Sequence, residues 1–221
     1  MLDEQNQQDA ANPNANGSSK PKGGISRRGF LRGAGLTTAG TVMLKGAVLG
    51  EAGTEATDGP VKLGPESIPV HMVVNGIRRK VHIEPRTTLA EALRVHMGLT
   101  GTKVVCDRGS CSACTVWVDR KPVNSCMTLA LDVADREITT VEGIARNGVL
   151  HPVQEAFIEH DASMCGYCTP GMIMSSVHLV ETHPNPAFDD VRHALRGNVC
   201  RCGTYPKVFT AVIDAAEKMK K

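Results

Sequence analysis

The eight cysteines of this 221-residue chain constrain its fold more than any other feature, because they fall into two sets of four. Three members of the first set follow the spacing C-x4-C-x2-C and the fourth returns after one short hairpin: Cys106, Cys111, Cys114 and Cys126. The second set joins a C-x2-C pair to a later C-x-C pair: Cys165, Cys168, Cys200 and Cys202. Four thiolates commonly hold one metal centre, so the sequence predicts two such centres.

The first spacing is that of plant-type ferredoxins, in which four cysteines hold a [2Fe-2S] cluster. The loop from Cys106 to Cys114 is rich in small residues, among them Gly109, Ser110 and Ala113. Small residues let backbone N–H groups approach the sulfur atoms of a negatively charged cluster. The first set therefore indicates a [2Fe-2S] cluster. The second set differs from the first in its spacing, and its combination of C-x2-C with C-x-C is rarer than either spacing alone.

The N-terminus has the pattern of a targeting segment. Residues 1–24 are polar and lack an apolar period, which is typical of disorder. The string Ser26-Arg27-Arg28-Gly29-Phe30-Leu31 then precedes a weakly apolar, glycine-rich stretch over residues 33–50. Residues 1–50 resemble a twin-arginine export signal, which implies transfer of the folded protein to the periplasm. The apolar stretch is too short for a stable membrane span, although an uncleaved anchor stays open as an alternative.

Two other uses of the cysteines compete with iron–sulfur ligation. Structural zinc sites usually combine two pairs of the C-x2-C type, and neither set here offers two of them. An even number of cysteines in an exported protein also suggests a disulfide framework. Export in the folded state argues against disulfides, because the protein would then acquire its cofactors in the cytoplasm, where thiols stay reduced.

After a linker over residues 51–67, the pattern changes to that of a small α+β domain over residues 68–144. Asn75-Gly76 separates two β-rich runs, which predicts a hairpin. Thr88 begins a capping-box pattern for a short helix that ends near Gly98. After the cysteine loop come a hairpin, with its turn at residues 119–122, and a last strand at 138–141. This order is that of a β-grasp ferredoxin.

Residues 145–221 are helical in pattern. Four apolar stripes predict helices over residues 152–160, 170–183, 189–195 and 205–219, which suggests a compact four-helix bundle. The cysteines of the second set lie just before Pro170 and Pro206, near helix N-termini that favour an anionic group. Met172 and Met174 are predicted to pack in the core. The net charge of +2 and the scarcity of aromatic residues give no indication of nucleic-acid binding.

Four strings together resemble the small iron–sulfur subunit of the xanthine oxidase family of molybdenum hydroxylases. They are Gly101-Thr102-Lys103, Cys111-Ser112-Ala113-Cys114-Thr115-Val116, Cys165-Gly166-Tyr167-Cys168-Thr169-Pro170-Gly171 and Gly197-Asn198-Val199-Cys200-Arg201-Cys202-Gly203-Thr204-Tyr205. The resemblance spans residues 68–219. It implies a second [2Fe-2S] cluster on Cys165, Cys168, Cys200 and Cys202, in a helical bundle that follows the ferredoxin-like domain.

The resemblance also implies partners. In that family a large subunit binds a molybdenum-pterin cofactor and another subunit binds FAD, and the small subunit relays electrons between them. The cluster in the bundle then lies nearer the pterin, and catalytic residues are not expected in this chain. With the export signal, the combination is similar to periplasmic aldehyde oxidoreductases of bacteria, which implies oxidation of aldehydes to carboxylic acids. Alternatives are hydroxylation of N-heterocycles or purines, and a free-standing periplasmic two-cluster electron carrier.

Three residues depart from the family pattern. Met164 stands where the family usually has a glutamine whose amide bonds the pterin, and a thioether cannot donate that hydrogen bond. We expect Met164 to pack against the cofactor, or a backbone group to replace the amide. Val105 replaces a common glycine and requires an ordinary φ. Ser112 replaces another frequent glycine, and its hydroxyl could donate a hydrogen bond to a sulfur of the cluster site.

Overall fold

The first hairpin forms where the alternating pattern predicts it, in a computed structural model that describes residues 63–220. Strand β1 (Ile68–Val74) pairs in antiparallel fashion with β2 (Ile77–Ile83). The connecting residues Asn75 and Gly76 both have a positive φ, 52° and 76°, as a two-residue type I′ turn requires. The predicted export signal lies outside the described residues, as does most of the predicted linker.

A short helix follows the hairpin. Thr88 caps α1 (Leu89–Glu91) by accepting a hydrogen bond from the Glu91 N–H at 3.2 Å. The helix continues as one π-helical turn over Ala92–His96, and the chain then reverses at Gly98, whose φ is 71°. Leu89 and Leu93 are fully buried, as their helical spacing predicts. The segment after this helix leads the chain to the first cysteine loop.

The remaining strands complete a mixed five-stranded sheet. They are β3 (Thr115–Val118), β4 (Lys121–Asn124) and β5 (Glu137–Thr139). The sheet order is β2-β1-β5-β3-β4, with β5 parallel to β1 and the other neighbours antiparallel. The predicted four-residue turn at 119–122 is wrong. Only Asp119 and Arg120 form the turn, both with positive φ, and Pro122 belongs to the edge strand, where its missing N–H costs no ladder bond.

Four longer helices follow, each close to its predicted position. They are α2 (Pro152–Glu159), α3 (Thr169–Thr182), α4 (Phe188–Ala194) and α5 (Tyr205–Lys218). Their inward faces share one core, in which Met172 and Met174 are fully buried, so the core prediction for both methionines is confirmed. A second core lies between the sheet and α1. Among residues 63–220, the structure contains no helix with the length and apolar character needed to cross a bilayer.

Sheet and helices are joined at a buried tryptophan. The Trp117 indole N–H donates to the Met174 carbonyl oxygen at 3.0 Å, and its ring meets His178 edge-on at 6.0 Å. Trp117 belongs to β3, yet its side chain is part of the helical core together with Ile144. Because β3 directly follows the first cysteine loop, this contact fixes that loop relative to α3.

Candidate iron–sulfur sites

The first cysteine loop is shaped by backbone that few side chains tolerate. Asp107, Gly109 and Ser112 have φ values of 52°, 72° and 53°. These reversals bring the Ser110 N–H to 3.3 Å from the Cys106 sulfur. Val105 has no positive φ, which confirms the expectation for that residue. The loop therefore presents backbone donors to its sulfur atoms, as an anionic centre needs.

The fourth cysteine of the first set is carried to the loop by a 3₁₀ turn over Ser125–Met127. The buried Ser125 hydroxyl donates to the Cys114 carbonyl oxygen at 2.7 Å, and the Asn124 amide donates to the Gly109 carbonyl oxygen at 3.3 Å. Cys114 and Cys126 are buried together, whereas Cys106 and Cys111 are partly exposed. The site thus lies at the protein surface with one side shielded.

The second set lies where two helices begin. Cys168 is the residue that precedes α3, and Cys200 and Cys202 lie in the turn that leads into α5. The Cys200 sulfur is 3.1 Å from the Thr204 hydroxyl oxygen, and the Cys200 N–H donates to the Tyr205 hydroxyl at 2.7 Å. Cys165 and Cys202 are exposed to solvent. The structure therefore brings together the four cysteines that the spacing predicted, with one side of the group open.

Within each set the thiols associate in pairs. Thiols that affect each other's pKa are Cys106 with Cys111 and Cys114 with Cys126 in the first set, and Cys165 with Cys202 and Cys168 with Cys200 in the second. No three cysteine sulfurs in residues 63–220 lie within 4.8 Å of one another. A tetrahedral zinc site would place all four about 3.8 Å apart, given its bond length. Two separated pairs fit a two-iron cluster better, because each iron takes two thiolates.

The electrostatics of the first set favour negative charge at its exposed side. The Arg108 N–H is the main cause that lowers the pKa of the Cys106 thiol to about 7, and the N–H groups of Ser110 and Cys111 act in the same direction. Burial raises the pKa of the Cys126 thiol to about 11. Cys126 must therefore lose a proton when a metal binds, and the bound metal would supply the compensating charge.

The second set, like the first, contains thiols with raised and with lowered pKa values. Burial raises the pKa of the Cys168 thiol to about 12. Burial is the largest single influence on Cys200 and opposes its ionisation, yet the hydroxyl and N–H of Thr204, together with Cys168 and the Cys202 N–H, lower the pKa of Cys200 to about 7. The pKa of Cys202 is raised, chiefly through its hydrogen bond to Cys165. Each set thus holds one thiol that ionises near neutral pH, which is the chemistry expected of a metal-binding donor set.

Met164 and Ser112, two residues that depart from the family pattern, lie next to the cysteine sets. Met164, next to Cys165, is 69% exposed, so its contact with a cofactor stays a prediction. Ser112 has a positive φ of 53°, a conformation that favours glycine. Its hydroxyl oxygen lies next to Gly197, where a β-carbon would be 3.4 Å away. The sequence pattern assigns no role to Thr204, Tyr205 or Asn198. Their presence in the string around Cys200 was the available signal, but their contacts are tertiary.

Two family models match the described part of the chain. The 2Fe-2S iron-sulfur cluster binding domain matches residues 72–150, and a second [2Fe-2S] binding domain matches residues 140–213. The first contains Cys106, Cys111, Cys114 and Cys126, and the second contains Cys165, Cys168, Cys200 and Cys202. Each cysteine set thus lies in its own iron–sulfur domain match.

Relatives and a solved structure also match. The chain is 37% identical over 211 residues to the aldehyde oxidoreductase iron-sulfur-binding subunit of Escherichia coli O157:H7, which covers 89% of this chain and 90% of that protein. It is 45% identical over 150 residues to the nicotine 6-hydroxylase small subunit of Paenarthrobacter nicotinovorans, covering 68% of this chain and 90% of that protein. A solved structure, quinoline 2-oxidoreductase from Pseudomonas putida 86, matches with a TM-score of 0.68 and 38% identity, over 70% of this chain and 97% of that one.

Proposed function

Because this chain belongs to the iron–sulfur subunits of the xanthine oxidase family of molybdenum hydroxylases, we propose that it is the electron-transfer subunit of such an enzyme. The observation that carries the proposal is that each set brings four thiols to one site, where they affect each other's pKa in pairs and no three sulfurs lie within 4.8 Å of one another among residues 63–220. That arrangement suits two-iron centres, and the two sets lie in separate iron–sulfur domain matches.

The cysteines of each set are the proposed ligands of one cluster. One cluster would be held by Cys106, Cys111, Cys114 and Cys126, and the other by Cys165, Cys168, Cys200 and Cys202. When bound, a [2Fe-2S] cluster accepts and releases single electrons. The chain supplies backbone N–H groups at Cys106 and the Thr204 hydroxyl at Cys200, which stabilise thiolate charge and thereby tune the reduction potential.

We propose two domains for these ligand sets. Residues 68–144 would form a β-grasp ferredoxin domain, and residues 145–221 a four-helix bundle with the second cluster at one end. Support comes from the two cores, one between the sheet and α1 and the other among the four later helices. Trp117 crosses from the first unit into the core of the second, which would keep the domains in a fixed relation.

The partners would be a large subunit that binds molybdenum-pterin and a subunit that binds FAD, in a heterotrimer. Oxidation of an aldehyde with water to a carboxylic acid releases two electrons and two protons, and two one-electron centres would pass the electrons singly to FAD. The chain itself would hold no catalytic residue. The likeness to an aldehyde oxidoreductase subunit supports aldehydes as the substrate class, whereas the likeness to nicotine and quinoline enzymes favours N-heterocycles as the second candidate.

The second cysteine set would face the molybdenum-binding partner. Cys165 and Cys202 are exposed, and the adjacent Met164 is an apolar side chain with 69% of its surface in solvent. A partner that covered this side would exclude water from the cluster and bury the thioether. Met164 would pack against the pterin, or a backbone group would make the bond that a glutamine makes in relatives.

We further propose that residues 1–50 direct the folded chain to the periplasm by the twin-arginine route. The paired Arg27 and Arg28 before Phe30 and Leu31 support this location. Replacement of both arginines by lysine is expected to retain the protein in the cytoplasm. Cell fractionation with a periplasmic marker measures the distribution, and continued export of the lysine variant would contradict the proposal.

The proposal is tested by purifying the full chain from its native host through a C-terminal tag. Iron, zinc, molybdenum and flavin are measured on the same sample, with EPR spectra after reduction by dithionite. We expect about four irons per chain and two distinct [2Fe-2S] signals, with stoichiometric molybdenum and FAD. Two clusters without molybdenum or FAD would instead identify a free-standing electron carrier, and zinc in place of iron would reject both.

A further inference from the structure

The two cysteine sets contact each other directly through the backbone. The Val199 N–H donates to the carbonyl oxygen of Cys111 at 3.0 Å. Val199 is bonded to Cys200, a member of the second set, and Cys111 belongs to the first. This backbone hydrogen bond therefore connects two chain segments, one of which carries a cysteine of the first set and the other a cysteine of the second.

Two side chains hold the Val199 segment in place. The Tyr205 hydroxyl accepts from the Cys200 N–H at 2.7 Å and donates to the Asn198 carbonyl oxygen at 3.2 Å, so it closes the turn on both sides of Val199. The Asn198 side-chain amide donates across to the Ser112 carbonyl oxygen at 3.2 Å. Asn198 is only 4% exposed, which protects this bond from competition with water.

The backbone segments around this contact lie close together. A β-carbon on Gly171, in the first turn of α3, would lie 2.2 Å from the Ser112 carbonyl oxygen. A β-carbon on Gly197 would lie 3.4 Å from the Ser112 hydroxyl oxygen. Helix α3 and the segment that contains Asn198 thus both approach the first cysteine loop at Ser112, the residue between Cys111 and the buried end of that loop.

We infer that Tyr205 and Asn198 are positioning residues, which hold the Val199 N–H on the Cys111 carbonyl and so fix the separation of the two cluster sites. The Tyr205 hydroxyl acts on the second set, and the Asn198 amide connects that set to the first. The inference rests on the proposed function, because it assigns these residues to the relation between two bound clusters. Neither residue is a cluster ligand or touches a substrate.

The test compares Tyr205→Phe with the wild-type chain in the purified complex. The substitution removes the hydroxyl and its two hydrogen bonds but keeps the ring that packs on Phe209 at 6.0 Å. Two paramagnetic centres at a fixed short separation split each other's EPR lines, so the splitting in the fully reduced protein reports on their relation. We expect unchanged iron content and a loss or narrowing of the splitting. Tyr167→Phe, at an exposed ring, is the matched control and should keep it.

Asn198→Ala provides a second variant, with the same expected loss of splitting. Wild-type protein that lacks two [2Fe-2S] signals would reject the proposed function itself. Two wild-type signals with unchanged splitting in both variants would overturn the inference alone. Loss of the second cluster in both variants would also overturn it, because Tyr205 and Asn198 would then be needed for assembly rather than for positioning.

Discussion

Gly171 lies where the first turn of α3 meets the first cysteine loop, with no space for a side chain. A β-carbon there would lie 2.2 Å from the Ser112 carbonyl oxygen and 3.0 Å from the Ala113 α-carbon. Both neighbours are backbone, so neither can rotate away. We expect Gly171→Ala to destabilise the protein by about 2 kcal/mol through overpacking. In a chain of this size that lowers the melting temperature by roughly 6 °C, measured by loss of the cluster absorbance.

Gly64 is the matched control for this prediction. A β-carbon at Gly64 has nothing within 4 Å, and its φ is not in the left-handed region. Gly64→Ala should therefore leave the melting temperature unchanged. Equal melting temperatures for Gly171→Ala and Gly64→Ala would show that α3 can move away from the cysteine loop.

Single cysteines separate the two proposed clusters. Cys114→Ser removes a buried thiol of the first set, and Cys168→Ser removes a thiol of the second. Each variant should retain about two of four irons per chain and lose one [2Fe-2S] EPR signal, a different one in each case. Iron analysis and EPR of the reduced proteins measure both. Loss of both signals in either variant would contradict independent sites.

At the scale of elements, the N-cap of α2 makes the stability of the protein depend on pH. His151 Nδ1 accepts from the Val153 N–H at 3.2 Å, which requires that nitrogen to be unprotonated. Burial is the main cause that lowers the pKa of His151, and Arg146 acts with it, against Glu155 and Glu181. The unfolded chain then binds more protons as the pH falls below about 6.5, the ordinary value. The contribution of this cap is thus present above that pH and is lost below it.

We predict that His151→Asn weakens this pH dependence. Asparagine is a good N-cap acceptor and does not titrate, so α2 keeps its start at every pH. The difference in melting temperature between pH 7.5 and pH 5.5 should be smaller in the variant than in the wild type, with cluster retention checked by absorbance. An identical difference in both proteins would show that protonation of His151 does not destabilise the helix.

The elements differ in how far the sequence predicts them. The β1–β2 hairpin and helices α2 to α5 are confirmed because local signals, a turn dipeptide or an apolar stripe, determine them. The turn at Asp119 and Arg120 was placed wrongly because Pro122 suggested a turn residue, whereas strand pairing with Trp117 decided its state. The parallel β1–β5 pair and the contact of Val199 with Cys111 join residues far apart in the chain, which no local pattern encodes.

At the scale of the whole molecule, the second cysteine set is more open to solvent than the first. Cys165 and Cys202 are exposed, whereas the first set contains only buried or partly exposed thiols. Solvent exposure is one of the factors that set the potential of a bound cluster, so a partner over the open side would shift the potential of the second cluster. Complex formation would then be part of the proposed function rather than an addition to it.

Met164 tests whether the open side is the face that binds the molybdenum subunit. Ile158 of α2 offers a matched control, because both side chains are apolar and 69% exposed. A lysine at a face that becomes buried loses its hydration without gaining a counter-charge, which costs about 2 kcal/mol or more, or roughly thirtyfold in affinity. We expect Met164→Lys to keep its iron but lose co-purified molybdenum, whereas Ile158→Lys keeps both. Equal molybdenum in the two variants would place the partner on another face, and the exposed pair of Cys165 and Cys202 would then lie open in the complex.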